Sequence, residues 1–110
     1  MSQSLTQKRH EFRGEAARNM IGAYFSPVSM NVEQYEDVLK RLEAAGQGAP
    51  KGRVYHSAFG ANDHLMVFDI WEDQASFEAF GPILMPILAE VGIDPGQPDV
   101  MPVHKIIAGK

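Results

Sequence analysis

Apolar and polar positions in this chain follow two periods, and the changes of period mark its elements. Residues 20–26, MIGAYFS, are a short apolar run that stops at Pro27, the pattern of a first strand. Val32, Tyr35, Val38, Leu39 and Leu42 then recur at helical spacing. Asn31 stands at the N-cap position, and Gln34 can reach back to it. Lys40 and Arg41 suit the negative end of the helix dipole, and Gly46 supplies a stop. GQGAPKG (46–52) reads as a loop. Two β-rich runs follow, RVYHSAF (53–59) and HLMVFDIW (64–71), and the cluster Gly60, Ala61, Asn62, Asp63 between them predicts a hairpin. Asp73 can cap a second helix over about 74–91, on which Phe77 and Phe80 share a face and Leu84, Ile87, Leu88 and Val91 resume the spacing. Pro82 and Pro86 predict that this helix is in two pieces with a kink. Gly92 and the turn-rich residues 93–99 end it. VMPVHKIIA (100–108) predicts a last strand, which Pro102 assigns to a sheet edge.

The order β-α-β-β-α-β predicts a ferredoxin-like α+β fold, a four-stranded antiparallel sheet with two helices on one face. If the other face met water, the strands would alternate apolar with polar. HLMVFDIW does not: it is apolar on both parities apart from His64 and Asp69. No third helix is available to cover that face. A second copy of the sheet is the simplest cover, so a homodimer forming a dimeric α/β barrel is expected.

Composition sharpens the domain limits. Residues 1–19 hold only Leu5 and Phe12 as large apolar side chains and are expected to form a disordered extension of a domain spanning 20–110. The net charge of -4 divides into a basic head, with Lys8, Arg9, Arg13 and Arg18 against Glu11 and Glu15, and an acidic body. Such a body repels a phosphate backbone, so no nucleic-acid partner is expected. No apolar run approaches the ~20 residues that span a bilayer, and within residues 1–19 no apolar stretch follows the basic side chains. No membrane partner and a cytoplasmic location are therefore expected. Cysteine is absent, which excludes disulfides, thiolate metal sites and a cysteine nucleophile.

Asp69 is the most informative residue. It is a carboxylate in a strand that should be central, and burying it without a partner is expensive. His56 and His104, one on each expected edge strand, are the candidate partners. With Phe59 opposite His64, Val54 lies opposite Asp69 and His56 shares Asp69's face; a slip of one residue would put Tyr55 there instead. An Asp69–His56 pair in an apolar pocket could act as a general base, the carboxylate orienting the imidazole. A structural ion pair holding strand register is the competing reading. The residue types of Asp69, His56 and His104 also match a two-histidine, one-carboxylate iron set, but nothing in their spacing supports one, and neither a metal nor another cofactor is expected. Trp71, on Asp69's parity, with Phe77, Phe80, Tyr24 and His104, would line a pocket for a small organic ligand. His64 at the hairpin mouth reads as exposed.

The run Val67-Phe68-Asp69-Ile70-Trp71-Glu72-Asp73-Gln74-Ala75-Ser76-Phe77 resembles the V-x-x-W-x-S-x-x-A-F strand-to-helix junction of the antibiotic-biosynthesis-monooxygenase-like family, and the order of elements agrees over about residues 20–108. The resemblance implies a dimeric α/β barrel with Trp71 at the pocket. It also implies oxygenation or proton transfer on a small, aromatic or polyketide-like substrate without a tightly bound organic cofactor. Two departures qualify it. The quinone-forming members carry an Asn where this chain has Val67. The haem-degrading members use an Asn on the first strand and a His in the second helix, and MIGAYFS and FGPILMPI have neither. The rival function is a non-catalytic binding or stress-response module with the same pocket. Asp69 facing a cavity with His56 would favour catalysis, whereas pairing with Arg53 or Lys105 at a dimer seam would favour the rival.

Overall fold

Helix formation begins where a side chain can satisfy the orphaned N–H groups of a first turn. In the computed structural model, which describes residues 19–109, Asn31 does this for helix α1 (Val32–Ala44). Its side chain accepts from Gln34 N at 2.7 Å, and the Gln34 side chain accepts from Asn31 N at 3.0 Å. The expected capping box is complete. Asp73 caps helix α2 (Gln74–Val91) in the same way, accepting from Ser76 N at 2.8 Å.

Four strands complete the element order: β1 (Ile21–Phe25), β2 (Arg53–Ala61), β3 (His64–Trp71) and β4 (Asp99–Pro102). They form one antiparallel sheet in the order β2-β3-β1-β4. This is the ferredoxin-like α+β plan. Residues 1–18, including most of the expected extension, lie outside the described residues. No helix of the described residues is long and apolar enough to cross a membrane.

Three details depart from the sequence expectation. The hairpin turn is two residues, Asn62 and Asp63, because Ala61 pairs with His64. The register is thus shifted by two from the one expected, and a shift of two preserves every side chain's face. Helix α2 runs through both prolines as a single element. Pro82 and Pro86 are exposed, as is Glu78, so the carbonyls they leave unbonded, on Glu78 and on Pro82 itself, can turn to water. The last strand ends at Pro102 rather than extending to 108. Its partner β1 begins at Ile21, and among the described residues the pairing ends with one further bond from Val103 N to Met20 O at 2.9 Å.

Strand parity divides the sheet into two faces. Ile21, Ala23, Leu65, Asp69 and Trp71 are buried under the helices. Trp71 is 0% exposed and sits between Phe77 and Phe80 of α2, with ring centroids 5.9 and 5.4 Å away. Val38 and Leu42 of α1 and Leu88 of α2 complete this core. The opposite face carries Tyr24, Phe68, Ile70 and Met101 with Tyr55 and Phe59, and neither helix covers it. Tyr55 is 52% exposed, Phe59 45% and Met101 63%.

Trp71 Nε1–H is buried without an acceptor among the described residues. Trp71→Ala should therefore cost about 3–5 kcal/mol, the usual range for emptying a large aromatic site. Trp71→Phe should cost much less, since it keeps a ring and removes the orphaned donor. Urea unfolding of the two variants checks this; a loss below about 1 kcal/mol for Trp71→Ala would show that the core is not built around this ring.

Candidate functional site

Antiparallel pairing sets His56 directly opposite Asp69 on β3, and Ala23 opposite Asp69 on β1. Ala23 is fully buried and too small to compete for the space above the carboxylate. Asp69 is 5% exposed. Its Oδ1 lies 2.5 Å from His56 Nδ1. The other ring nitrogen, Nε2, lies 2.7 Å from the Tyr35 hydroxyl. The two ring planes are parallel to within 6°.

Both contacts are satisfied when Asp69 is ionised and the His56 ring is neutral. Asp69 can only accept when ionised, so Nδ1–H donates to it. Nε2 then carries the lone pair and accepts from Tyr35 O–H. The result is a linear chain, Tyr35 to His56 to Asp69, in which the buried carboxylate fixes the tautomer. Burial holds the Tyr35 phenol above its ordinary 10.0, the negative charges of Glu36 and Asp69 add to this, and Arg53 opposes it. Tyr35 is thus a neutral phenol at physiological pH.

These groups open onto a cavity of about 70 Å³. Val38 and Leu42 of α1, Phe80, Leu84 and Leu88 of α2, and Val67 of β3 make its walls, with Met30 and Ile93 from the connecting loops. Tyr35, His56, Asp69 and Arg53 are its polar side chains. An apolar cavity with a few convergent polar groups is the usual form of a small-molecule site.

The structure gathers some of the residues singled out from sequence and leaves others aside. His56, Asp69 and Phe80 line the cavity. Trp71 does not reach it, because Phe77 and Phe80 cover the indole. Phe77 packs on Trp71 and on Phe25 rather than lining the space. Tyr24 is on the other face of the sheet, paired with Phe68 and stacked on Phe59 at 6.4 Å. His104 lies beyond β4 and is exposed, so it does not join His56 and Asp69. His64 is exposed at the hairpin, as expected.

Tyr35 was not among the expected site residues, nor was Arg53 as part of a pocket. Tyr35 sits in the apolar stripe of α1, where it reads as a hydrophobic contact. The available signal was its hydroxyl: a tyrosine facing a sheet must find a partner for that group.

No family model matches the chain, and no curated protein matches it. Solved structures do. SnoaB, a cofactor-independent oxygenase from Streptomyces nogalater, superposes with a TM-score of 0.62 at 13% identity, over 83% of this chain and 99% of that one. A conserved protein from Methanosarcina mazei Go1 gives 0.56 at 13% identity, over 83% and 97%. A Chloroflexus aurantiacus J-10-fl protein named as an antibiotic biosynthesis monooxygenase gives 0.54 at 14% identity, over 84% and 97%. These likenesses show the ferredoxin-like α+β fold of the single chain.

The Tyr35 environment predicts an alkaline limit to stability. The folded state holds the phenol proton more tightly than the unfolded chain does. That advantage is complete below about pH 10 and disappears as pH rises through the higher folded-state value. Between about pH 9 and 11 the melting temperature should fall more steeply in the native protein than in Tyr35→Phe. Parallel curves for the two proteins would show that the phenol is not held in this way.

Proposed function

We propose that this protein is an enzyme that removes a proton from a small, flat, largely apolar organic substrate, with Tyr35, His56 and Asp69 as its base. The observation that carries this is the unbroken hydrogen-bond chain ending at a cavity wall. Substrate C–H passes its proton to the Tyr35 oxygen while Tyr35 passes its own to His56 Nε2. The imidazolium that forms is stabilised by Asp69, and the substrate keeps the electron pair as a carbanion or enolate. No organic cofactor is needed for this step.

Oxygenation is the same chemistry carried further. A CH₂ carbanion that meets dioxygen forms a C–O bond to give a peroxide anion. Protonation and loss of water then leave a carbonyl, so that CH₂ and O₂ become C=O and H₂O. The fold shared with a cofactor-independent oxygenase supports this extension. Asp69 pairs with His56 at a cavity rather than with Arg53 or Lys105, which favours catalysis over a purely binding role.

The test is hydrogen–deuterium exchange at carbon. In D₂O the protein should accelerate exchange at the C1 position of 2-tetralone, followed by NMR. Tyr35→Phe and His56→Gln should each lower that rate by about 10²–10⁴, the usual worth of a positioned base. Exchange that is unaffected by either variant would remove the base from the account.

The uncovered sheet face supports a homodimer built through it. Tyr24, Tyr55, Phe59, Phe68, Ile70 and Met101 form an apolar surface that a second copy would bury. Light scattering at micromolar concentration should give about twice the 12.2 kDa chain mass. Phe59→Glu with Met101→Glu should return the monomer mass; a native protein that already scatters as a monomer would contradict this arrangement.

A further inference from the structure

Strand β2 contains an irregularity that changes what the cavity can bind. Arg53 and His56 are three residues apart, so in a regular strand they would point to opposite faces. In this sheet Arg53 pairs with Trp71 and Tyr55 with Ile70, and Val54 has no partner opposite. Val54 is the extra residue of a β-bulge, and it turns Arg53 onto the same face as His56 and Asp69. Bulges are known to re-aim side chains beside functional sites. Gly52, at φ 89°, leads into this bulge, and a Cβ there would fall 2.4 Å from Ser76 Cβ of α2. The backbone is thus specifically shaped at the point where Arg53 leaves it.

Arg53 has no structural task that accounts for this. Among the described residues no carboxylate lies within salt-bridge distance of it, and its side-chain hydrogen bond is a long one, 3.5 Å from Nη2 to Gly48 O. Asp69, the acid that shares its cavity, is engaged with His56. Arg53 is the one permanent cation in a lining that is otherwise mostly hydrocarbon. Its charge is felt at Tyr35, where it opposes the upward effects of burial and Glu36 on the phenol.

We propose that Arg53 is the anion-holding residue of this pocket. The pocket then takes flat apolar molecules carrying one oxygen that is negative, or becomes so when the neighbouring C–H proton leaves. The substrate class is carboxylates, phenols and enolisable ketones rather than plain hydrocarbons. The assignment rests on the same cavity as the proton-transfer reading and adds the opposite pole. As the base withdraws a proton, the electron pair of the broken C–H bond moves onto the carbonyl oxygen, and a guanidinium can hold that oxyanion by charge-assisted N–H donation, or a carboxylate by two parallel N–H bonds. The imidazolium–Asp69 pair and the Arg53–oxyanion pair then each balance in charge.

Calorimetric titration of the full chain with 2-naphthoate and 2-naphthamide tests this, because the two probes share a shape and differ in charge. The carboxylate should bind about tenfold more tightly than the amide, or better. Arg53→Gln should abolish the difference, and Arg53→Lys should restore part of it, since a point charge lacks the two-pronged geometry. Circular dichroism confirms that each variant is folded, and Arg53→Met substitutes for Arg53→Gln if that protein does not fold. Equal affinity for both probes, binding of neither, or a preference that survives without Arg53 would overturn the assignment. Tyr35→Phe separates the two proposals. It should keep the naphthoate preference while losing carbon-acid exchange, so the relay can fail while the anion site stands, and the reverse.

Discussion

A carboxylate withdrawn from water must find hydrogen-bond donors inside the protein, and among the described residues Asp69 meets that requirement through the side chain of His56. The rest of the site follows from this. His56 must stand opposite Asp69, which fixes the β2–β3 register through the two-residue turn at Asn62–Asp63. Its second nitrogen must also be satisfied, which draws the Tyr35 hydroxyl of α1 down onto the sheet. Breaking a buried pair of this kind by removing one partner is far more damaging than never having it, because the surviving charge is left without compensation. The pair is therefore a constraint on the fold.

The proposed proton transfer draws on the same geometry. Hydrocarbon walls from both helices keep the local dielectric low, which strengthens each polar interaction inside. The polar groups are arranged in a line rather than scattered: an acceptor, Asp69; a ring that can carry a proton at either end, His56; and a phenol at the lining, Tyr35. Arg53 supplies the complementary charge from the bulged start of β2. In the proposed reaction a phenol and an imidazole, together a weak base, would act more effectively with the product anion held nearby. That division of labour, proton to one end and electron pair to the other, is what the placement of four side chains makes available.

Much of this was written into the sequence, for identifiable reasons. The Asn31–Gln34 capping box and the Asp73 cap are local, so spacing alone reveals them. His56 was placed on Asp69's face even though the expected register was two residues off, because side-chain facing depends on parity. Other features depend on contacts that no local pattern records. The bulge at Val54 carries no glycine or proline of its own at the extra residue, and so Arg53's direction was invisible. Tyr35 was hidden by its helical neighbours, since a stripe of Val, Tyr, Val and Leu reads as packing. Trp71 was expected at the pocket because of its parity with Asp69, which is correct for the face; its removal from the lining is the work of Phe77 and Phe80 on α2. Residues 103–109 look like strand but outrun the start of β1, a limit set by a partner far away in sequence.

The central claim is the proton arrangement of the Tyr35–His56–Asp69 chain, and ¹⁵N NMR of the histidine side chains reads it directly. At neutral pH, His56 should show a protonated Nδ1, with a strongly downfield proton bonded to Asp69, and an unprotonated Nε2 whose signal responds to Tyr35→Phe. In Asp69→Leu, Nδ1 loses its acceptor and the proton should move to Nε2. A native His56 protonated at Nε2, or one whose tautomer is indifferent to the loss of Asp69, would contradict the account.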